Sequence, residues 1–218
     1  MGRIVPTRAP AGTAVRRRLA VDPASDLLRG ARQVPSPNCD DRPAGSVAEL
    51  IVVHGISLPP GRFGGPYIDQ LFTNALNPTG HAYFREIARL KVSSHFLIRR
   101  AGEVVQYVPV RRRAWHAGKS SYRGRERCND YSVGIELEGT DDRAYTRAQY
   151  RRLATLIRAL RRAVPTLTQA PIVGHSDVAP GRKTDPGPTF DWARLQLLLA
   201  RSGSPGRGAG RRPARKSR

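Results

Sequence analysis

Two short stretches of the chain hold three side chains that could bind one metal ion. His54 ends the apolar run of IVVHG, and His175 and Asp185 lie in GHSDVAPGRKTDPG. A structural zinc site normally uses four protein ligands and is rich in cysteine, whereas a catalytic one uses three and leaves a position for water. Two imidazoles and a carboxylate suit zinc. The set therefore predicts one catalytic Zn²⁺ per chain.

The elements predicted around these residues form a mixed sheet with helices packed on it. Residues 49–54 are a short apolar run that ends in a potential ligand, which suits a buried central strand. Thr146 and Gln149 form a capping-box pattern before a helical apolar period that stops at Pro165. An α/β or α+β domain is expected, with further strands over 92–99, 103–108, 131–137 and 171–173, and helices over 68–76, 81–90 and 190–200.

The composition fits one folded domain with basic ends. The chain has 218 residues, of which 39% are hydrophobic, and this is enough to build one core. Its net charge of +21 is unevenly distributed, because residues 1–33 contribute a net +5 and residues 201–218 a net +7. We expect disordered basic segments over 1–27 and 201–218 and a folded domain over 28–200. Basic tails can bind phosphate, but 201–218 has no aromatic residue to stack on bases, so no nucleic-acid partner is inferred.

Cysteine content and hydropathy indicate the cellular compartment in which the protein is expected. Cys39 and Cys128 are too few for a disulfide scaffold, although counting leaves a single bridge open, and a reducing compartment is the simpler interpretation. The arginine run at 16–18 is followed by LAVDPASD, which is not the apolar region of a secretory signal. No apolar run approaches the roughly 20 residues of a membrane span. A monomeric cytoplasmic protein without a membrane partner is expected.

Five motifs resemble those of the zinc-dependent N-acetylmuramoyl-L-alanine amidases of type 2. The similarity runs from about residue 28 to residue 198 and is greatest to the cytoplasmic subgroup that recycles 1,6-anhydro-muropeptides. It implies a five- or six-stranded mixed sheet with flanking helices, the fold shared with peptidoglycan-recognition proteins. The motifs are VVHGISLPPGRFGGP, VSSHFLIRRAGEVVQYVP, RAWHAG, RERCNDYSVGIELEG and GHSDVAPGRKTDPGPTFDW.

The resemblance implies roles for the three ligands and two further residues. His54, His175 and Asp185 would hold the zinc ion. Glu136 would take a proton from the attacking water and deliver it to the departing amine. Lys183, two residues before a ligand, would stabilise the developing oxyanion, although an exposed loop lysine is the alternative.

A second acid lies on the same face of the strand as Glu136. Side chains repeat every two residues in a strand, so Glu138 shares that face. An unpaired acid between apolar neighbours is costly. The family resemblance selects Glu136 as the base, and for Glu138 a structural salt bridge is the preferred interpretation.

Residues that could bind the substrate are fewer and less specific. The expected muramoyl peptide carries several carboxylates, and Arg127 could hold one by a bidentate pair, with Lys91 as a weaker candidate. Trp115 could line a sugar or peptide groove, or be buried in the core. His116 occupies a motif typical of the groove wall in these amidases, where it could contact substrate or support a metal ligand. Gly55 departs from the subgroup, which has Asn after the first zinc-binding histidine.

The two remaining histidines are expected to lie outside the metal site. His81 is in a polar turn and is interpreted as a surface residue. His95 sits in a strand between Ser94 and Phe96, where a hydrogen-bonded, half-buried imidazole is expected. Neither is assigned as a ligand.

Three functions remain as candidates at this point. The first is hydrolysis of the bond between N-acetylmuramic acid, preferentially its 1,6-anhydro form, and L-alanine. The alternatives are an amidase that acts on intact peptidoglycan and a peptidoglycan-binding module of the same fold without catalysis. Loss of a ligand is the usual sign of a binding module, and all three ligand positions are filled here, which favours an enzyme.

Overall fold

A computed structural model of the chain describes residues 19–201, so most of the two basic segments expected from the sequence lies outside the described residues. Residues 19–201 hold two short 3₁₀ helices, Cys128–Asp130 and Pro165–Leu167. The helices are α1 Tyr67–Phe72, α2 Ala82–Ile87, α3 Arg147–Ala163, α4 His175–Val178 and α5 Trp192–Ala200. The strands are β1 Ala20–Val21, β2 Leu28–Arg29, β3 Arg32–Gln33, β4 Cys39–Asp40, β5 Leu50–Ile56, β6 Phe96–Ile98, β7 Val104–Gln106, β8 Arg113–Ala114, β9 Ser121–Tyr122, β10 Arg125–Glu126, β11 Ser132–Glu138 and β12 Ile172–Gly174.

A six-stranded mixed sheet is the centre of the fold, as expected from the sequence. Its strand order is β12-β5-β11-β6-β7-β3. The pairs β12–β5, β5–β11, β11–β6 and β7–β3 are parallel, and β6 and β7 form the antiparallel hairpin. The carboxyl ends of β12, β5 and β11 therefore meet at one edge, where ligand sites of open α/β sheets form.

The two faces of the sheet are covered by different helices. Ile51 and Val53 of β5 point to a core shared with α3 and α5. Leu97 and Val105 point the other way, into a second core built with α1 and α2. Because side chains alternate along a strand, His54 lies on the face opposite to Ile51 and Val53.

Helix α3 forms where its sequence predicts it. The Thr146 side chain accepts a hydrogen bond from the Gln149 backbone N–H, and the Gln149 side chain accepts one from the Thr146 backbone N–H. Tyr150, Leu153 and Ile157 are buried on its inner face. The capping box and the apolar stripe thus fix both the start of the helix and the face it turns to the sheet.

Helices α1 and α2 are shorter than the apolar periods predict. The pattern over 68–76 predicts a helix to Leu76, but α1 ends at Phe72 because Asn74 adopts a left-handed conformation with φ of 60°. The pattern over 81–90 gives α2 only over Ala82–Ile87. Leu76 is still buried in the α1–α2 core, so its burial came from packing rather than from helical position.

Part of the amino-terminal segment that the sequence predicts to lie outside the domain packs on the core in this structure. Strand β1 pairs with β2, with Val21 opposite Leu28. Leu19 is 0% exposed and belongs to the same core as α3. The sequence misses this because two-residue strands carry no apolar period.

Leu19→Ala is expected to lower the free energy of unfolding by about 2–5 kcal/mol, since a fully buried leucine is replaced by a cavity. Leu197→Ala is the matched control, because Leu197 is 58% exposed and its loss should change stability by no more than about 0.5 kcal/mol. Equilibrium unfolding in urea measures both. Equal effects of the two substitutions would show that residues 19–27 do not pack on the core.

Two further sequence expectations can be compared with the fold. Cys39 and Cys128 are both free thiols, so the single bridge left open by counting does not form. Among residues 19–201, no helix has the length and apolar character that crossing a bilayer requires.

Candidate metal centre

The three predicted ligands converge at the carboxyl end of the sheet. His54 Nδ1 lies 3.0 Å from His175 Nδ1, and Asp185 Oδ2 lies 3.1 Å from the latter and 3.4 Å from the former. A tetrahedral zinc ion with bonds of about 2.0–2.1 Å separates its ligand atoms by about 3.3 Å. The three atoms therefore have the spacing of three corners of such a tetrahedron.

Each ligand is placed by a different element. His54 lies near the end of β5, and His175 begins α4 directly after β12. Asp185 follows on a loop that is tied back to α4, because the Ser176 N–H donates to the Asp185 carbonyl at 3.0 Å. The Gly55 N–H donates to Asp185 Oδ2 at 3.3 Å and fixes the carboxylate beside His54.

The donor set fits a cation. Burial lowers the pKa of His54 to about 4, so the ring is neutral at pH 7. His175 Nε2 lies 3.3 Å from the carbonyl oxygen of Ala117, which can only accept, so Nε2 carries the proton and Nδ1 presents a lone pair. Buried lone pairs and a carboxylate that face one point repel one another unless a positive charge lies between them. A metal ion held by His54, His175 and Asp185 removes that cost.

Glu136 lies next to His54 on the neighbouring parallel strand. The two residues are directly paired in the β5–β11 register and share a face of the sheet. Glu136 is only 7% exposed, and burial, followed by the negative charge of Asp185, raises its pKa well above its usual range, with Lys183 opposing the shift. Both Glu136 and Lys183 line the cavity that contains the three ligands, which has a volume of about 270 Å³.

Glu138 has the structural role preferred from the sequence. Its carboxylate accepts hydrogen bonds from Arg99 Nη1 at 3.2 Å, from the Gly64 N–H at 2.6 Å and from the Arg100 N–H at 3.1 Å. It thereby joins β11 to the loop before α1 and to the hairpin turn. Glu138 does not line the cavity of the metal ligands.

Glu138→Gln is expected to lower the free energy of unfolding by about 1–3 kcal/mol, because an amide NH₂ then faces backbone donors. Arg99 also loses one carboxylate partner but keeps Asp69. The kcat of the folded fraction should stay close to wild type. Urea unfolding and a rate corrected for the folded fraction measure the two effects. A large loss of kcat with an unchanged free energy of unfolding would contradict this assignment and make Glu138 a candidate base.

The structure brings only some of the predicted substrate-binding residues to this cavity. Trp115 and His116 line it, and the Trp115 indole is also hydrogen-bonded to Asp40 Oδ1 at 3.0 Å. Lys91 is exposed and lies outside, although Leu90 and Val92 on either side of it form part of the wall.

Arg127 is likewise absent from the wall of the metal cavity. It has a left-handed backbone with φ of 59°, and its Nε lies 3.1 Å from Asp130 Oδ2. Its side chain lines a separate cavity of about 480 Å³ together with Lys119 and Arg182. A direct contact between Arg127 and a ligand in the metal cavity is thus not supported in this arrangement.

The other two histidines are placed outside the metal centre, as expected. His81 is exposed, and its Nδ1 accepts the Tyr83 N–H at 3.1 Å, so it also caps α2. His95 is fully buried rather than half-buried, and is bonded to the Gly134 N–H at 3.1 Å and to the Arg112 carbonyl at 3.0 Å. Burial lowers its pKa to about 3, with the Arg42 charge acting in the same direction.

Sequence reasoning missed much of the cavity wall. Ser57, Tyr83 and Ile87 line it beside the apolar residues of α1. Tyr83 and Ile87 belong to the predicted helix over 81–90, where packing in a core explains them equally well, and Ser57 follows β5 with no pattern that marks it as functional. Tyr145 was also missed; its hydroxyl donates to the Pro186 carbonyl at 3.0 Å, and a Cβ at Gly55 would lie 2.5 Å from this hydroxyl. A side chain at position 55 therefore requires Tyr145 to move.

Comparison with known proteins places the chain among amidases. The family model described as N-acetylmuramoyl-L-alanine amidase matches residues 44–188. The 1,6-anhydro-N-acetylmuramyl-L-alanine amidase AmpD of Escherichia coli (strain K12) is 60% identical over 174 residues, which cover 80% of this chain and 94% of that protein.

Two solved structures agree with this similarity. The crystal structure of a selenomethionine AmpD derivative has a TM-score of 0.78 and 59% identity, covering 80% of this chain and 97% of that one. AmpDh3 from Pseudomonas aeruginosa, in complex with anhydromuramic pentapeptide, has a TM-score of 0.50 and 26% identity, covering 73% of this chain and 69% of that one.

Proposed function

Because this chain belongs to the N-acetylmuramoyl-L-alanine amidase family, we propose that its cavity cleaves 1,6-anhydro-muropeptides with one zinc ion held by His54, His175 and Asp185. The reaction is hydrolysis of the amide bond between 1,6-anhydro-N-acetylmuramic acid and L-alanine, and it serves peptidoglycan recycling. The observation that carries the zinc assignment is the triangle of ligand atoms, 3.0 to 3.4 Å apart, next to Glu136.

Zinc, when bound, would polarise the scissile carbonyl and bring the pKa of water to about 7. Glu136 would take the proton of the attacking water and later deliver it to the nitrogen of L-alanine. A carboxylate with a raised pKa is a stronger base once ionised, which suits the first transfer. Lys183 would offset the negative charge that develops on the carbonyl oxygen.

The wall of the cavity supports a ligand with both apolar and polar parts. Leu58, Phe72 and Ile87 are among its apolar lining residues, and Trp115 and Ser57 add groups that can form hydrogen bonds. A sugar ring can stack on an indole, while peptide groups need polar partners. Trp115 and His116 remain the proposed substrate-facing residues, and Lys91 and Arg127 are not proposed to contact substrate in this cavity.

One assay tests the substrate. Purified protein with Zn²⁺ is offered a 1,6-anhydro-muramoyl tripeptide and, separately, intact sacculi. We expect release of free tripeptide from the first and little release from the second. Hydrolysis of sacculi alone would overturn the proposed substrate, and binding of the muropeptide without hydrolysis would favour the non-catalytic module.

The domain division and the location of the protein remain proposals from the sequence. The amidase domain is proposed to include residues 19–27 instead of beginning at residue 28, because Leu19 packs in the core. A cytoplasmic monomer is proposed as the working form. Subcellular fractionation and sedimentation of the natural protein test these points.

A further inference from the structure

The outer nitrogens of both histidine ligands contact one short segment of the chain. His54 Nε2 lies 2.9 Å from His116 Nδ1, and His175 Nε2 lies 3.3 Å from the Ala117 carbonyl oxygen. The backbone N–H groups of His116 and Ala117 both donate to Asn129 Oδ1, at 3.1 and 2.8 Å. Two adjacent residues, held by one amide side chain, thus border both ligands from behind.

The His116 ring occupies a space that the sheet leaves for it. A Cβ at Gly134 would lie 2.5 Å from His116 Cγ, so strand β11 can pass behind the ring only with glycine at this position. The rings of His54 and His116 meet edge to face, with centroids 4.9 Å apart and an interplanar angle of 86°. This geometry points a nitrogen of each ring at the other instead of stacking them.

The hydrogen bonds beyond His116 determine where its proton lies. Ser132 Oγ is 2.5 Å from the Cys128 carbonyl oxygen, and since a carbonyl cannot donate, the single hydroxyl proton is used there. His116 Nε2 is 3.1 Å from the same Oγ and must therefore be the donor. An imidazole that is not a cation has a single N–H, and His116 uses it at Nε2, so its Nδ1 accepts.

The same reasoning fixes the proton of the ligand. Since His116 Nδ1 accepts, His54 Nε2 must donate, and the neutral His54 ring then has its lone pair on Nδ1. Nδ1 is the atom that faces His175 and Asp185. Without these hydrogen bonds the His54 proton could lie on Nδ1, where it would prevent metal binding.

We propose that His116 is a positioning residue for the metal, which acts with Ser132 to keep the His54 proton on Nε2 and the Nδ1 lone pair directed into the site. The inference rests on the zinc site of the proposed function. It gives His116 a role beyond lining the cavity. The hydrogen-bond chain runs from His54 through His116 and Ser132 to the Cys128 carbonyl. Loss of such an outer partner typically weakens metal affinity by 10- to 100-fold.

The first test compares two substitutions of the same residue. His116→Phe keeps a ring but removes the acceptor, whereas His116→Gln keeps an amide group that can accept at one atom and donate at another. Zinc Kd is measured on protein without a polyhistidine tag, by competition with a chromogenic chelator. We expect His116→Phe to raise Kd by roughly 10- to 100-fold and His116→Gln to recover most of that loss. The visible spectrum of the Co²⁺-loaded protein should change for Phe more than for Gln.

A second pair separates positioning from packing and does not depend on the His116 variants folding. Ser132→Ala removes the hydroxyl that accepts from His116 Nε2, and we expect a smaller increase of zinc Kd than for His116→Phe. Ser36→Ala is the matched control, because the buried Ser36 hydroxyl also donates to a carbonyl, that of Phe72, at 2.5 Å, but contacts no imidazole. Both should lower the Tm of the metal-free protein, and only Ser132→Ala should change zinc Kd.

The outcomes distinguish this inference from the zinc site itself. Unchanged Kd in His116→Phe, or equal weakening by Phe and Gln, would overturn the positioning role while leaving the metal site intact. Equal Kd in Ser132→Ala and Ser36→Ala would overturn the part assigned to Ser132. A wild-type protein that does not bind zinc would overturn the metal site, and the inference with it, before any variant is measured.

Discussion

Glu136→Gln is expected to give a folded, zinc-binding protein whose kcat is lower by roughly 10²- to 10⁴-fold, the usual contribution of general acid–base catalysis. An amide of the same size cannot take a proton from water or return it to an amine. Glu136 is buried next to His54 in register, with Asp185 as a nearby negative charge. Removing its charge should therefore not lower stability, and burial of a neutral amide there should be tolerated.

The measurement combines kcat on a muropeptide, zinc content and urea unfolding for the same preparations. Glu138→Gln is the matched control, because it makes the same chemical change two residues away on the same strand face. We expect opposite results: Glu136→Gln loses turnover and keeps stability, while Glu138→Gln loses stability and keeps turnover. Near-normal turnover in Glu136→Gln, or loss of its zinc, would show that this carboxylate is not the proton carrier.

The second large effect is expected from His175→Ala, which removes one of the three ligands. Loss of an outer partner weakens metal affinity by about 10- to 100-fold, and loss of a direct ligand should exceed that range. Activity should fall together with zinc content, and chelation of the wild-type protein should abolish activity while most of the fold persists. The sheet supports this expectation, since its two main cores are built from apolar side chains away from the ligands.

Elemental analysis and chelator competition on tag-free protein test this expectation, with His81→Ala as the control. His81 is an exposed histidine that caps α2, so its loss should leave about one zinc per chain. A metal-free wild-type sample with full activity would refute the role of zinc. Equal zinc content in His175→Ala and wild type would refute the ligand set.

The sequence predicts the parts of the fold whose local and tertiary preferences agree. Helix α3 has a capping box at its start and an apolar stripe along it, and β5 begins with four consecutive apolar residues. The amino-terminal strands β1 and β2 were not predicted, because Leu19 is buried by contacts with distant residues and not by a local apolar period. The end of α1 was predicted too late in the chain, because it depends on the left-handed conformation of Asn74.

The three proposed ligands could be selected from the sequence because residue type and motif indicate them without knowledge of the path of the chain. The walls of the cavity were not, since they depend on how loops return to the sheet. Arg127 has suitable chemistry, but the turn at Cys128–Asp130 directs it to Asp130 and a separate cavity. The contact between His116 and His54 joins residues 62 positions apart, and no spacing rule indicates it.

The ligands come from segments that are remote in the chain, with His54 and His175 separated by 121 positions. An unfolded chain therefore has no preformed site, and a metal ion that binds there binds the native state almost alone. Its binding free energy then adds to the stability of the fold, by about 1.4 kcal/mol for each tenfold rise of free zinc above Kd. Zinc supply would in this way set the stability of the protein as well as its activity. Metal-free protein would stay folded but would unfold, and meet proteases, more often than the zinc-bound form.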